Sequence, residues 1–327
     1  MKRKLVLVIS LLVLAALLKQ AACVGSTPEA LDHAATAADA RLGGGAAVAP
    51  RTAGGRGGAD PAAARLLDYS WDGWRPATCM PEHCFCEPIH AGAIRQPVNT
   101  WSNLGFVFVG LLAIAIARHD LPRAARWGTS NLIRTRLVYP AVYGTAAVLI
   151  GIGSMFYHSS LAFAGQVVDV ISMYLMTTFM VIYNVSRMRR LSDRTFLASY
   201  LVANVALGYV SIAWPVLRRY IFVVLMVAAL ASEWAVRRTR RPKVNAAFLY
   251  GALASLVGAC TMWILDVTRV LCSPGSWFQG HAVWHVLMAA VIGFIYLYYR
   301  SEAGYETAPP AASAGRACLL RPRGMTG

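Results

Sequence analysis

Three histidines stand at the edges of hydrophobic segments, each close to another polar residue. The segments are GIGSMFYH (151–158), QVVD (166–169) and GHAVWH (280–285), and they carry Ser154, His158, Asp169, His281 and His285. Three neutral imidazoles that leave one coordination position open are the usual ligands of a hydrolytic zinc ion. A nearby carboxylate, here Asp169, handles the proton in such chemistry. If helices bring these residues together, the chain is a membrane-embedded metallohydrolase that binds Zn²⁺.

The spacing of these residues fits helices. Ser154 and His158 are four residues apart, as are His281 and His285, so each pair shares one helix face. A single histidine near a helix end more often packs against its neighbours, and an H-x-x-x-H pair also binds haem or only forms hydrogen bonds. Asp169 is the stronger single signal, because an ionisable residue inside a membrane segment is costly and generally functional.

The composition indicates that membrane helices position the site. Of the 327 residues, 57% are hydrophobic and only 14% are charged, with a mean hydropathy of +0.50, whereas soluble domains carry about 25% charged residues. Apolar stretches of roughly 17 to 25 residues span a bilayer as helices. Seven spans are predicted, over residues 98–117, 137–157, 166–184, 196–214, 219–236, 246–266 and 281–299. The predicted fold is an all-α membrane protein built as a seven-transmembrane-helix bundle.

The distribution of positive charge predicts the orientation of this bundle. Five, four and five basic residues lie after the first, third and fifth spans, whereas the alternate loops hold only Arg218, Arg219 and Arg269. The positive-inside rule places the basic loops and the C-terminus in the cytoplasm and the N-terminal segment outside. Topology, with some contact to anionic lipid, thus accounts for the net charge of +16. No basic recognition helix indicates nucleic acid.

This topology brings the candidate residues to one depth of the membrane. The second span ends at His158, the third begins just before Asp169, and the seventh begins at His281. All three positions fall on the outer side. With the signal-like start and the high Ala, Gly and Arg content, this predicts a multi-pass protein of a bacterial inner membrane whose active site faces outward.

The regions around the spans have distinct compositions. Residues 1–23 resemble a signal sequence or anchor, with a basic start and an apolar core, and Cys23 leaves lipoprotein processing open. Residues 24–66 are dominated by Ala and Gly and form a predicted disordered linker. Residues 67–97 are predicted to cap the outer face of the seven-helix domain at 98–300, and a cytoplasmic tail follows at 301–327. Four outer cysteines, Cys79, Cys84, Cys86 and Cys272, permit three pairings that spacing cannot separate.

Two other polar features have structural explanations. Asn99 and Asn103 share a helix face, and we expect them to tie neighbouring helices together by hydrogen bonds. Asp266, near the outer end of the sixth span, is interpreted equally well as an interfacial residue, a helix-pairing group or a neighbour of the site.

Taken together, the motifs resemble those of the alkaline ceramidases and their superfamily of seven-helix membrane hydrolases. The resemblance covers roughly residues 84–299. It rests on CE at 86–87, NTWSN at 99–103, S-x-x-x-H at 154–158 followed by Asp169, W-x-x-D at 263–266 with Cys272 beyond, and GHAVWH at 280–285.

The resemblance implies a role for each candidate residue. His158, His281 and His285 would bind Zn²⁺, Asp169 would transfer the proton, and Ser154 would hydrogen-bond the oxyanion. It also implies a disulfide between Cys86 and Cys272, which leaves Cys79 and Cys84 as a second pair. Glu87 matches a family calcium ligand. However, Cys84, Ile89 and Gln96 stand where oxygen-rich ligands are expected, which argues against Ca²⁺ regulation.

The predicted function is zinc-dependent hydrolysis of the N-acyl bond of ceramide or a related membrane lipid, giving a fatty acid and a long-chain amine. Two alternatives stay open. An ester-lipid hydrolase of the same superfamily would use the same residues, because zinc and a base serve either carbonyl. A receptor resembling the progestin and adiponectin receptors would hold a similar zinc site, but with its N-terminus in the cytoplasm. Oligomeric state is not predicted.

Overall fold

The computed structural model describes residues 71, 73–78, 85–127 and 130–303. The predicted signal or anchor at 1–23, the linker at 24–66, most of the tail and the pair Cys79 and Cys84 lie outside the described residues. So does much of the predicted cap at 67–97.

Seven helices in the described part of the chain are long and apolar enough to cross a membrane, as predicted. A short helix precedes the first long helix, another short helix precedes the second, and a 3₁₀ turn at Pro215–Leu217 precedes the fifth. The helices are α1 (Pro97–Ser102), α2 (Leu104–Trp127), α3 (Leu132–Thr135), α4 (Val138–Ser160), α5 (Phe163–Arg189), α6 (Asp193–Ala213), α7 (Arg218–Thr239), α8 (Ala246–Val267) and α9 (Gly280–Arg300).

Several helices are longer than the apolar stretches that predicted them. α5 begins at Phe163 and ends at Arg189, whereas the predicted span covers residues 166–184. Helical hydrogen bonding in α5 continues past its first basic residue, Arg187, because that side chain is buried in ion pairs with Glu233 and Glu302. The hydropathy pattern therefore located the spans and underestimated their length.

Close helix packing depends on small residues. A Cβ added at Gly110 of α2 would lie 2.5 Å from the carbonyl oxygen of Gly144 in α4, so the two backbones touch at these glycines. Small residues at such crossings let membrane helices approach closely. α4 also packs on α5, which packs on α6 and α7, and α8 packs along α9.

A buried ion-pair network joins three helices at the end of the bundle opposite the histidines. Arg187 of α5 pairs with Glu233 of α7, and its Nη2 lies 2.7 Å from a carboxylate oxygen of Glu302, just beyond α9. Tyr298 of α9 donates a hydrogen bond to Glu233. Paired and hydrogen-bonded charges are the form in which ions are tolerated inside proteins. The network fixes α5, α7 and α9 to one another.

The segment before α1 is attached to the histidine end of the bundle. Ala77 N–H donates to the carbonyl of Leu161 at 3.0 Å, and Phe163 N–H donates to that of Arg75 at 2.7 Å. A disulfide joins Cys86 to Cys272 in the loop between α8 and α9, as the resemblance implied.

Candidate metal centre

The three candidate histidines meet at one end of the bundle. His158 at the end of α4 and His281 and His285 in the first turns of α9 are all buried, and their ligand nitrogens lie within 4.8 Å of one another. The Nε2 atoms of His158 and His281 are 3.2 Å apart. Within the described residues, this is the group of histidine, cysteine and acidic side chains that could hold a metal ion.

Two hydrogen bonds orient the imidazoles. The Oε1 of Gln96 lies 2.8 Å from Nδ1 of His158, and the Oγ of Ser102 lies 2.8 Å from Nδ1 of His285. The Ser102 hydroxyl donates to the carbonyl of Asn99, so it accepts from His285. Both histidines therefore carry their proton on Nδ1 and leave Nε2 with a free lone pair. Sequence reasoning missed both partners, since no local pattern links them to histidines so distant in the chain.

Contacts between α8 and the start of α9 hold His281 in position. Asp266 of α8 accepts hydrogen bonds from the backbone N–H groups of His281 at 3.2 Å and Cys86 at 3.1 Å. This caps the helix and joins it to the segment before α1. A Cβ at Gly280 would lie 2.9 Å from both the Cβ of Asp266 and the carbonyl oxygen of Met262, so only glycine fits. Of the three interpretations of Asp266, two fit the structure: it joins the end of α8 to the start of α9, and it is a neighbour of the site.

Aromatic rings enclose His281. The ring of Phe85 lies 4.1 Å from the His281 ring, centroid to centroid, and the ring of Trp284 stacks on it at 5.2 Å. The disulfide at Cys86 holds Phe85 in this position, because the two residues are adjacent. The histidine site is thus covered by apolar side chains that limit access of bulk water.

Ser154 and Asp169 lie beside the histidines. The Ser154 Oγ is 3.5 Å from Nε2 of His285, and Ser154 and Asp169 line the same cavity. Asp169 lies two turns into α5, across from the end of α4. The structure thus brings all five candidate residues to one place, although they come from three helices.

Glu87 stabilises the start of α1. Its Oε1 and Oε2 accept hydrogen bonds from the N–H groups of Val98 at 2.7 Å and Asn99 at 2.8 Å. Burial raises the pKa of this carboxyl group, and the two N–H donors oppose that increase. Both oxygens are engaged in this cap, so the structure gives Glu87 a role that needs no calcium ion. Gln96, at a position where the resemblance leads one to expect a calcium ligand, orients His158 instead.

The prediction that Asn99 and Asn103 join neighbouring long helices is wrong, because the hydrogen bonds that their side chains donate among the described residues are local. Asn103 Nδ2 donates to the carbonyl of Asn99 at 2.7 Å, and Asn99 Nδ2 donates to Gln96 at 3.4 Å. These side chains stabilise the turn between α1 and α2 rather than joining separate long helices. Asn103 is the single residue between α1 and α2, and its backbone is in the α-helical region (φ −70°, ψ −14°).

An apolar cavity of about 130 Å³ begins at Ser154 and Asp169 and extends through the bundle to Glu233. Its wall is mostly aliphatic and methionine side chains of α5, α7, α8 and α9. Apart from Ser154 and Asp169, the side chains nearest the histidines on this wall include Phe106, Ile150 and Trp284. A cavity with one polar end and a long apolar wall suits a ligand with a polar group attached to a hydrocarbon chain.

The three histidines could together hold a metal ion. The Nε2 lone pairs of His158 and His285 lie close together in one small buried space. Two lone pairs so close to each other repel, and a bound cation would remove this repulsion. Imidazoles whose second nitrogen is held by a hydrogen bond, as those of His158 and His285 are, are typical of catalytic zinc sites. The Nδ1 of His281 is buried and has no hydrogen-bond partner among the described residues.

Comparison with known proteins agrees with the family resemblance seen in the sequence motifs. The sequence model of the ceramidase family matches residues 81–309. The chain is 23% identical over 261 residues to the alkaline ceramidase of Drosophila melanogaster, an alignment that covers 72% of this chain and 84% of the relative. It is 26% identical over 186 residues to a candidate alkaline ceramidase, dcd3B, of Dictyostelium discoideum, covering 49% of this chain and 64% of the relative. The family match covers well over half of the chain, so this multi-pass membrane protein belongs to the ceramidase family.

Proposed function

We propose that this protein is a zinc-dependent ceramide amidohydrolase, which cleaves the N-acyl bond of ceramide or a related membrane lipid. Family membership supports amide hydrolysis of a ceramide. The observation that carries the proposal is the position of Ser154 and Asp169. They stand beside the three histidines and also line the apolar cavity, so the polar end of a lipid in the cavity reaches the histidine site.

His158, His281 and His285 would hold the zinc ion. When bound, zinc supplies Lewis acidity and makes a water nucleophilic near neutral pH. Gln96 and Ser102 keep the imidazoles of His158 and His285 in the tautomer that binds metal. Because these residues are buried and already oriented, little reorganisation is needed for the ion to bind.

Asp169 would transfer the proton. Its carboxylate accepts a proton from the attacking water and donates it to the amine nitrogen as the C–N bond breaks, so one group serves both steps. Ser154 lines the cavity beside this carboxylate. As negative charge develops on the carbonyl oxygen, the Ser154 hydroxyl would donate a hydrogen bond to that oxygen.

We place this site at the outer side of the membrane, with the segment before α1 outside and the C-terminus in the cytoplasm, because the positive-inside pattern favours this orientation. A membrane lipid would then enter from the outer leaflet, without leaving the bilayer. A bacterial inner membrane fits the signal-like start at residues 1–23.

The test is release of fatty acid from ceramides by the purified full-length protein, with the metal content measured on the same sample. We expect release that requires about one zinc per chain, is lost in His285→Ala, and returns when zinc is restored to chelated wild-type protein. Phospholipids in parallel test the ester alternative, and turnover of esters alone would overturn the amide assignment. Zinc binding without hydrolysis of any lipid would favour a receptor-like role.

A further inference from the structure

The cavity that begins at Asp169 ends at a charged side chain, Glu233. Its lining follows α9 from Trp284 to Tyr299, which at 1.5 Å per residue is roughly 22 Å. The last side chains on this path are Glu233, Tyr298 and Tyr299. The cavity therefore has a long apolar wall and an ionic floor.

The floor is held rigidly. Glu233 pairs with Arg187 and accepts a hydrogen bond from Tyr298, and Arg187 also binds Glu302 and Asn184. The Arg187 side chain is only 2% exposed and that of Glu233 is 15% exposed. Moving this carboxylate aside would leave a buried guanidinium short of a partner, which is strongly unfavourable. Pushing a methyl group against it instead would desolvate a charge without a compensating hydrogen bond.

We propose that Glu233, fixed by Arg187 and Tyr298, is a chain-length stop that limits the N-acyl chains this protein accepts. The inference rests on the proposed function, since it names the part of the substrate that fills the cavity. A chain that reaches the floor has no further apolar surface to contact. Each methylene of the acyl chain above the floor contacts the apolar wall, whereas any further methylene would meet the ion pair of Glu233 and Arg187.

The cavity wall favours the acyl chain over the chain of the amine. An acyl chain continues from the carbonyl carbon as plain methylenes, whereas the long-chain base of a ceramide carries hydroxyl groups close to the scissile nitrogen. Next to Ser154 and Asp169 the wall is formed by Phe106, Ile150 and Met173. Beyond Ser154 and Asp169 this part of the wall offers the hydroxyl of Thr177, which already donates to backbone carbonyls, so a substrate hydroxyl placed here finds few partners and costs binding free energy.

Ala229 provides the means to test the stop. It lies one turn before Glu233 on α7, is buried, and lines the cavity. A larger side chain at this position fills the space just above the floor. Ala231, on the same helix but exposed and outside the cavity lining, is the matched control.

The experiment uses two ceramide series, one with graded acyl chains and one with graded amine chains, and follows fatty-acid release. Ala229→Phe should lower the rate on the longest acyl chains that wild type cleaves by about tenfold or more relative to short ones, as expected for a pocket shortened by several methylenes. Glu233→Ala should extend the accepted range to longer chains. Ala231→Phe should leave the profile unchanged. If Ala229→Phe fails to fold, Ala229→Leu is the milder substitution and should give a smaller shift in the same direction. If Glu233→Ala fails to fold, Glu233→Gln keeps the size of the side chain while removing its charge, and it should extend the accepted range by less.

A second readout separates failure of the stop from failure of the proposed function. Thermal stabilisation of the protein by free fatty acids of graded length needs no turnover. If no ceramide is hydrolysed but Ala229→Phe shortens the longest stabilising fatty acid, the amidase proposal fails and the stop stands. An active Ala229→Phe with the wild-type acyl profile, or with a shift in the amine series alone, overturns the stop.

Discussion

Gln96 lies 2.8 Å from His158, with its Oε1 accepting the Nδ1 proton of a histidine that follows it by 62 residues. Gln96 is completely buried just before α1, while His158 is in the last turn of α4. Such a partner behind a ligand fixes the tautomer and direction of the imidazole. The relationship connects the segment before α1 directly to the metal centre.

Replacing Gln96 with Leu should therefore weaken zinc binding without removing a ligand. We expect a loss of about 10- to 100-fold in affinity, the usual effect of removing a group that orients a metal ligand. Titration of purified protein against a competing chelator measures it. Gln96→Glu keeps an acceptor oxygen and should retain more affinity than Gln96→Leu. Equal affinities for Gln96→Leu and wild type would show that the hydrogen bond does not orient His158.

Asp169→Asn should separate metal binding from turnover. The amide keeps the size of the carboxylate but cannot accept the proton, and a positioned base contributes about 10²- to 10⁴-fold to rate. We expect fatty-acid release to fall in that range while the zinc content stays at the wild-type level. Ser154→Ala, which leaves the carboxylate in place, should have a smaller effect. An Asp169→Asn protein that hydrolyses ceramide at the wild-type rate would exclude Asp169 as the base.

The long helices and the main site residues could be predicted because their signals are local. Apolar runs locate the spans, and the alternation of basic loops puts His158, Asp169 and His281 at one depth. The groups that support the site gave no such signal. Gln96 and Ser102 act through contacts with distant residues, and a glutamine before a proline is an ordinary loop residue in any local pattern.

The capping of helix ends and the charged floor of the cavity also could not be predicted from the sequence. Glu87 and Asp266 are acidic residues whose use as caps depends on which N–H groups the fold presents to them. Glu233 falls inside an apolar span, but nothing local assigns it to Arg187 on another helix. In each case the deciding contact joins two different elements, 11 or 12 residues apart for Glu87 and 46 residues apart for Glu233 and Arg187, so it exists only after those elements pack.

Gly280→Ala should destabilise the start of α9. The added methyl group would lie 2.9 Å from both Asp266 Cβ and the Met262 carbonyl oxygen, so either α8 or the first turn of α9 must shift. Overpacking of this kind typically costs about 1 to 3 kcal/mol. We expect a lower melting temperature and weaker zinc binding, because His281 is the next residue.

The control for this substitution is Gly275→Ala in the loop between α8 and α9. A Cβ at Gly275 would meet nothing within 4 Å, so stability and zinc binding should stay at wild-type levels. Suppose that Gly280→Ala, Gly275→Ala and wild type all have the same melting temperature. The contact between α8 and the start of α9 would then accommodate a methyl group, contrary to the packing described above.

Loss of the disulfide should loosen the cover over the metal centre. Cys86 and Cys272 are 186 residues apart in the chain, and removing a native disulfide from small secreted domains typically costs about 2 to 5 kcal/mol. The backbone of Cys86 also binds Asp266, and its neighbour Phe85 contacts His281. The double variant Cys86→Ser with Cys272→Ser should therefore melt at a lower temperature and exchange zinc with a chelator faster than wild type. Cys260→Ser removes a cysteine of α8 that forms no disulfide and should change neither property. Unchanged zinc exchange in the double variant would mean that Phe85 stays over His281 through packing alone.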